Sequence, residues 1–131
     1  MRDINIRFGM SAGKIWKTLN DKGVIEKEKL LRLTRLDDDD FNAALGWLAR
    51  ENKIALDNNN CLKLDVTNLE GEIGGNAGVI WRILDVWGDA DIATIKRLSH
   101  LNDDQIYSAL GWLAREDKIC FNEKNRKYSL K

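Results

Sequence analysis

Apolar residues at helical spacing predict two short helices at the start of the chain's first half. Ile15, Trp16 and Leu19 share one face of a helix over residues 11–22, and Ser11 is the expected N-cap. Leu30 and Leu33 share one face of a second helix over residues 26–34. The two helices therefore each offer one apolar face to a common core.

A third helix and a hairpin follow. Four acidic residues at 37–40 suit the start of a helix, where carboxylates cap free N–H groups and meet the positive end of the dipole. Phe41, Ala44, Leu45 and Leu48 then recur at i, i+3, i+4 and i+7, which predicts one buried stripe. After residue 53 the apolar residues alternate on both sides of a polar turn at 57–60, which predicts a β-hairpin.

The first ten residues show a different pattern. Ile4, Ile6, Phe8 and Met10 alternate with polar residues, and a period of two predicts a short strand. We therefore expect residues 1–10 to be a strand-like extension that covers a sheet edge or joins a partner.

The whole pattern occurs twice, 65 positions apart. Residues 44–51 return unchanged as residues 109–116, and about 20 of the 45 pairs between 13–57 and 78–122 are identical. This predicts two tandem domains, at 11–65 and 76–131, with Asn76 as the second N-cap. The glycine-rich segment 66–75 is expected to be a flexible linker.

Composition excludes several classes of protein. The 131 residues are 44% hydrophobic, which is typical of a globular chain, and no apolar run is long enough for a membrane span. The N-terminus lacks a signal-peptide pattern, so we expect a cytoplasmic location. Lys plus Arg balance Asp plus Glu at 21 each, whereas non-specific nucleic-acid binding usually requires a basic domain.

We find no motif of enzyme chemistry. The chain has one His and two Cys without a CxxC spacing, and it lacks phosphate-binding and nucleophile motifs. The run 37–40 lacks the spaced ligands and glycine turn of a cation loop. We therefore expect no catalytic site, no metal and no cofactor.

The order helix, helix, helix, hairpin is that of a winged helix-turn-helix domain of the α+β class, with the third helix as recognition helix and the hairpin as wing. The chain also resembles a small prokaryotic family of winged-helix domains. That family has a Trp in the first helix and a Leu-Gly-Trp-Leu-Ala-Arg-Glu run at the end of the third. Here these are Trp16 with residues 45–51, and Trp81 with residues 110–116. The resemblance implies the fold, and similar winged-helix domains bind DNA in some proteins and bind other proteins elsewhere.

The face of the third helix opposite its apolar stripe is poorly suited to base contacts. It carries Asp39, Ala43, Gly46 and Arg50 in the first copy, whereas base edges are contacted by long donors and acceptors. Glycine inside a helix is unfavourable by about 1 kcal/mol relative to alanine. Either another backbone approaches Gly46 and its counterpart Gly111 closely, or both copies inherited the glycine.

The second copy is better suited to DNA. If DNA binds, we expect polar groups near the start of the third helix to face the bases and basic groups of the wing and second helix to contact phosphates. The expected DNA contacts are Gln105, Tyr107, Ser108, Lys124, Arg126, Lys127, Lys96 and Arg97. The alternative is that the basic residues are ordinary solvated charges.

A second apolar strip distinguishes the first helix of the second copy. Val79, Ile83, Val86 and Trp87 replace Lys14, Thr18, Asp21 and Lys22 of the first copy. Because a helix that is apolar on both flanks needs two partners, we expect this strip to contact the other repeat, the N-terminal strand or a second chain, as in a homodimer. The alternative is a larger local core.

Two functional hypotheses follow. One is a DNA-associated regulator that contacts double-stranded DNA mainly through the second domain. The other is a protein–protein assembly module that uses winged-helix domains without binding DNA. Winged helices favour the first hypothesis, and the zero net charge, acidic helix starts and apolar strip favour the second.

Overall fold

The computed structural model describes residues 3–131, and the predicted order of elements occurs twice in it. The first copy consists of α1 Ile4–Lys22, β1 Ile25–Glu26, α2 Lys27–Thr34, α3 Asp38–Arg50, β2 Ile54–Leu56 and β3 Cys61–Leu64. After a π-helical turn, Glu70–Gly74, the second consists of α4 Gly75–Trp87, β4 Asp89–Ala90, α5 Ile92–Ser99, α6 Asp103–Arg115, β5 Ile119–Asn122 and β6 Lys127–Leu130. The α+β class is confirmed.

Each wing hairpin is completed by a two-residue strand that precedes the second helix. The antiparallel sheets have the orders β1-β3-β2 and β4-β6-β5, so the last strand of each copy lies in the middle. Ile25 is paired with Leu62, and Ala90 with Tyr128. All four residues are buried, and the wing is thereby joined to the helical core.

The strand predicted for residues 1–10 is wrong, because residues 4–10 form the first turns of α1. Asp3 caps this helix and accepts a hydrogen bond from the Asn5 N–H at 2.9 Å. Only Ile4 and Phe8 of the alternating residues are buried, at i and i+4, whereas Ile6 and Met10 are exposed on the other side of the helix. The apparent period of two thus arose because apolar residues occur on both the buried and the exposed side of the helix. Met1 and Arg2 lie outside the described residues.

The predicted N-caps at Ser11 and Asn76 are wrong because both residues lie inside a helix. Ser11 is buried within α1, where its hydroxyl donates to the Arg7 carbonyl at 3.1 Å. Asn76 lies inside α4, which begins at Gly75 and continues from the π-helical turn. Both first helices therefore begin earlier than their polar residues suggest.

The segment 66–75 is not wholly the flexible linker that its glycines predict. Residues 70–74 form the π-helical turn, and Ile73 within it is buried. Asn68 is bonded to the backbone of Leu56 through both its amide nitrogen, at 2.6 Å, and its oxygen, at 3.0 Å. Half of the predicted linker is thus the start of the second copy's first helix.

The two copies exchange the beginnings of their first helices. Ile4 and Phe8 of α1 pack into the core that α4, α5 and α6 form. Reciprocally, Ile73 packs into the core of the first copy, among residues of α1, α2 and α3. The two apolar cores are separate, but each is completed by a side chain of the other copy.

Candidate interaction surfaces

The third helices of the two copies, α3 and α6, pack directly against each other. A Cβ atom on Gly46 would lie 1.7 Å from the Ser108 carbonyl oxygen, and one on Gly111 would lie 1.8 Å from the Ala43 carbonyl oxygen. No side chain fits in either place, since both neighbours are helix backbone. Close approach of another backbone, one of the two explanations for these glycines, is the one that the structure supports.

The two helices run in the same direction, as their contacts along the length show. Asp39 and Asp103 interact at the N-terminal ends, Gly46 meets Ser108 in the middle, and Arg50 binds Glu116 at the C-terminal ends. Because parallel helix dipoles repel, charges at the ends matter. Acidic first turns and a basic last turn in each helix offset this repulsion.

Carboxylates from both copies lie close together at the paired N-terminal ends of α3 and α6. The pKa of the Asp39 carboxyl is raised, first by partial burial and then by neighbouring carboxylates, including Asp37 and, from the second copy, Asp103. This end of the helix pair would repel a phosphate backbone.

The C-terminal ends are joined by reciprocal ion pairs between the copies. The Arg50 Nε lies 3.1 Å from a Glu116 carboxylate oxygen, and the Arg115 Nε lies 3.0 Å from one of Glu51. These pairs were not predicted from the sequence, although both copies end the repeated run with Arg-Glu.

Each of these arginines also covers a tryptophan of the other copy. The Arg115 guanidinium lies 5.7 Å from the Trp47 ring centre, and Arg50 lies 5.7 Å from that of Trp112, which are cation–π distances. A Cβ on Gly9 would lie 3.2 Å from the Trp47 ring, and one on Gly74 would lie 3.2 Å from the Trp112 ring. Residues 46, 47, 50 and 51 of the repeated run, with their counterparts, therefore join the copies.

This pairing covers the surface that a winged-helix domain normally places in the major groove. Ala43, Gly46, Ser108 and Gly111 are all buried between α3 and α6. Ser108, an expected DNA contact, uses its hydroxyl to donate to the Gln105 carbonyl at 3.1 Å. Gln105 in turn completes a capping box with Asn102. Both side chains thus make hydrogen bonds within α6 or to its N-cap.

The family of the chain follows from its match to a known domain. The model of the family described as winged helix-turn-helix domain (DUF2582) matches residues 1–64 and again residues 68–131. The chain belongs to this family. The two matches include the starts of both first helices, which the predicted domains at 11–65 and 76–131 left out.

A relative of this winged helix-turn-helix family is about the size of one copy. An uncharacterized protein of Methanocaldococcus jannaschii is 34% identical over 64 residues, which are 47% of this chain and 90% of that protein. No solved structure matches the chain.

The basic residues expected to contact DNA lie on the wing and α5 of the second winged-helix copy. Lys124 and Arg126 are exposed in the turn of the wing, and the Arg126 guanidinium lies 5.8 Å from the Phe121 ring centre. Lys127 lies 3.8 Å from an Asp89 oxygen, and Lys96 lies 3.1 Å from an Asp103 oxygen. Carboxylates thus already accompany two of these cations, while Arg97 is exposed on α5.

Tyr107, the remaining expected DNA contact, is half-buried in a cavity between the copies. The cavity has a volume of about 450 Å³ and also contains Arg7, Asp39 and Arg126. Burial raises the pKa of Tyr107 to about 12, and the Asp39 carboxylate contributes to the rise.

The apolar strip of α4 lies mostly on the outside of the protein. Val79 and Ile83 are half-buried, whereas Val86 is 79% exposed and Trp87 is 56% exposed. The N-terminal strand proposed as one cover does not exist as such, since residues 4–10 belong to α1. Contact of this strip with a second chain stays a prediction.

Residues 3–131 contain neither a helix suited to span a membrane nor a cluster of metal-ligating side chains. No helix in this part of the chain is both long and apolar enough to cross a membrane. Within the same residues, no three His, Cys, Asp or Glu side chains are grouped as they would be to hold a metal ion.

Proposed function

We propose that this protein is a non-catalytic protein-binding module whose third helices hold its two winged-helix copies together. The observation that supports this proposal is the contact of Gly46 with Ser108, where a Cβ would lie 1.7 Å from the carbonyl oxygen. A helix packed this closely along the face opposite its apolar stripe cannot present that face to a DNA groove. The partner must then bind at a surface that the contact between α3 and α6 leaves open.

The charge of the protein agrees with this proposal. The net charge is zero, and the adjoining starts of α3 and α6 are acidic. A protein that neutralises several phosphates binds DNA more weakly as salt rises, with a slope of about −0.9 for each phosphate on a logarithmic plot. We expect a titration of duplex DNA between low and physiological salt to give no measurable slope.

A second candidate function is DNA association through the wing of the second copy. It is favoured by Lys124 and Arg126, which are exposed at the turn of the hairpin, outside the contact of α3 with α6. Lys127, Lys96 and Arg97 would add phosphate contacts, and this proposal does not need Ser108 or Gln105 to touch a base. Tyr107 would contact DNA only at the mouth of its cavity.

The two wings provide a matched test of this candidate. Reversing Lys124, Arg126 and Lys127 to Glu should abolish any DNA binding through the second wing. The same number of Glu substitutions in the uncharged part of the first wing's turn, at residues 58–60, serves as the control. Tight binding with a slope that only the second-wing variant loses would establish DNA association and contradict the first proposal.

A further inference from the structure

Two grooves at the C-terminal ends of α3 and α6 are equivalent in the two copies. The first lies between α1 and α3, has a volume of about 270 Å³ and is lined by Gly9, Ala12, Gly13, Trp16, Trp47, Leu48, Glu51 and Lys53. The second lies between α4 and α6, has a volume of about 420 Å³ and is lined by Gly74, Ala77, Gly78, Trp81, Trp112, Leu113, Glu116, Lys118 and Arg82. Every residue of the first groove has its counterpart in the second, 65 positions later.

All eight equivalent pairs that line the grooves are identical, whereas about 20 of 45 pairs are identical over the repeat. The cavity at the other end of the helix pair shows the opposite behaviour. Its Arg7 corresponds to Glu72 and its Tyr107 to Asn42 in the related cavity of the other side. The two copies have thus diverged at one end of the molecule and kept the same groove at the other.

Packing within the chain accounts for only part of this identity. Gly9 is needed beneath the Trp47 ring, and Glu51 binds Arg115 across the copies. In contrast, a Cβ on Gly13 or Gly78 would meet no atom within 4 Å, although glycine is unfavourable inside a helix. The chain itself gives no packing reason for these two glycines.

A tryptophan beside each of these glycines is left uncovered. Trp16 is 41% exposed and Trp81 is 37% exposed, and each faces the half-buried tryptophan of the third helix across its groove. Because Gly13 or Gly78 adds no side chain between the two tryptophans, each groove admits a bulky apolar group and lets the backbone that carries it come close.

The charge at the grooves favours an acidic partner. The one carboxylate in each groove, Glu51 or Glu116, already binds an arginine of the other copy and a lysine two residues further on. Arg82 adds a cation to the second groove, and Lys17 has the equivalent position in α1. With the arginine of the other copy counted, two cations (Lys53 and Arg115) accompany one carboxylate at the first groove, and three (Lys118, Arg82 and Arg50) accompany one at the second.

We propose that each groove binds an acidic peptide segment of a partner protein through one aromatic or large aliphatic side chain seated between the two tryptophans. This inference rests on the proposed protein-binding function and names the partner's chemistry. A single-stranded nucleic acid could also stack on tryptophan, but such sites need a continuous basic groove along the backbone. Each groove here has isolated cations, and the adjoining helix starts at the other end are acidic.

The test uses the full chain and a phage-displayed library of random dodecapeptides. Recovered peptides should combine Asp or Glu with a bulky apolar residue, and calorimetry should find two sites in each chain. Gly13→Leu should remove one site, Gly78→Leu the other, and the double variant both. Because both glycines have open space above them, these variants should fold, as thermal unfolding would verify.

Three results would overturn the inference. A library that yields no binder, or yields basic peptides, would contradict the partner's chemistry. Acidic peptides that bind the double variant as well as they bind the natural protein would place protein binding elsewhere, leaving the proposed function intact. Binding of a twelve-nucleotide oligothymidylate that the double variant loses would assign the grooves to nucleic acid instead.

Discussion

Substituting the same residue at two helical glycines should change the stability in opposite directions. Gly46→Ala places a methyl group 1.7 Å from the Ser108 carbonyl oxygen, about half of an ordinary carbon–oxygen contact of roughly 3.3 Å. Gly13→Ala places the same group where no atom lies within 4 Å. The comparison therefore isolates the contact between α3 and α6.

The magnitude follows from two opposing contributions. Alanine is favoured over glycine inside a helix by about 1 kcal/mol, so Gly13→Ala should stabilise the protein by roughly 0.5–1 kcal/mol. At Gly46 this gain is opposed by overpacking, which typically destabilises by about 1–3 kcal/mol and by more where the neighbour is rigid. The neighbour is helix backbone, so α3 and α6 must separate by roughly 1.5 Å, which also weakens the Arg50–Glu116 and Arg115–Glu51 pairs. We expect a net loss of about 2 kcal/mol or more.

The assay is urea unfolding followed by circular dichroism for both variants. Gly111→Ala should resemble Gly46→Ala, and the double variant should lose less than the sum, because the first substitution already separates the helices. Equal gains in stability for Gly13→Ala and Gly46→Ala would refute the packing of α3 against α6.

Three further predictions concern charges and the exposed strip. Changing Val79 to Lys, Ile83 to Thr and Trp87 to Lys, as in the first copy, should abolish any self-association in sedimentation velocity while the protein stays folded. Arg50→Gln with Arg115→Gln should destabilise by roughly 1 kcal/mol or less for each exposed pair, and the loss should shrink in high salt during urea unfolding. The raised pKa of Asp39 means that its ionisation opposes folding, so Asp39→Asn should stabilise at neutral pH, with the gain vanishing below about pH 4 in thermal melts. The stability of Asp39→Asn minus that of the natural protein should therefore be larger at pH 7 than at pH 3. A smaller difference at pH 7 than at pH 3 would contradict the raised pKa of Asp39.

The sequence predicted most helices and both hairpins because each has a clear period and a clear end. The stripe of Phe41, Ala44, Leu45 and Leu48 is buried as expected. These features depend on local spacing and caps, which the sequence records directly.

The errors arose where contacts come from the other copy. The sequence of residues 1–10 alternates like a strand because Ile6 and Met10 are apolar although they are exposed. Phe8 is buried because it packs into the core of the second copy. Likewise, the glycines of 66–75 predicted a flexible linker, although Ile73 in this segment is buried in the core of the first copy. Such reciprocal packing has no signal in the spacing of one copy.

The site could be predicted only in part. Gly46 and Gly111 left two explanations open, a close backbone or shared inheritance, and the sequence could not say that each lies against the other copy. The repeated Arg50-Glu51 and Arg115-Glu116 dipeptides contained the cross-copy pairs, yet a charge pair between distant segments is visible only once the helices are placed. The two grooves could be recognised as equivalent only when the repeat in the sequence was placed on the fold.

The most direct test of the paired third helices is a measurement of proton contacts by nuclear magnetic resonance. A Cβ on Gly46 would lie 3.0 Å from the Ser108 Cα, and one on Gly111 would lie 2.9 Å from the Ala43 Cα. We therefore expect strong nuclear Overhauser effects between the Hα protons of Gly46 and Ser108, and between those of Gly111 and Ala43. Absence of both cross-peaks, in spectra that retain the contacts within each copy, would contradict the packing of α3 against α6 and would mean that this face of each helix is exposed to solvent.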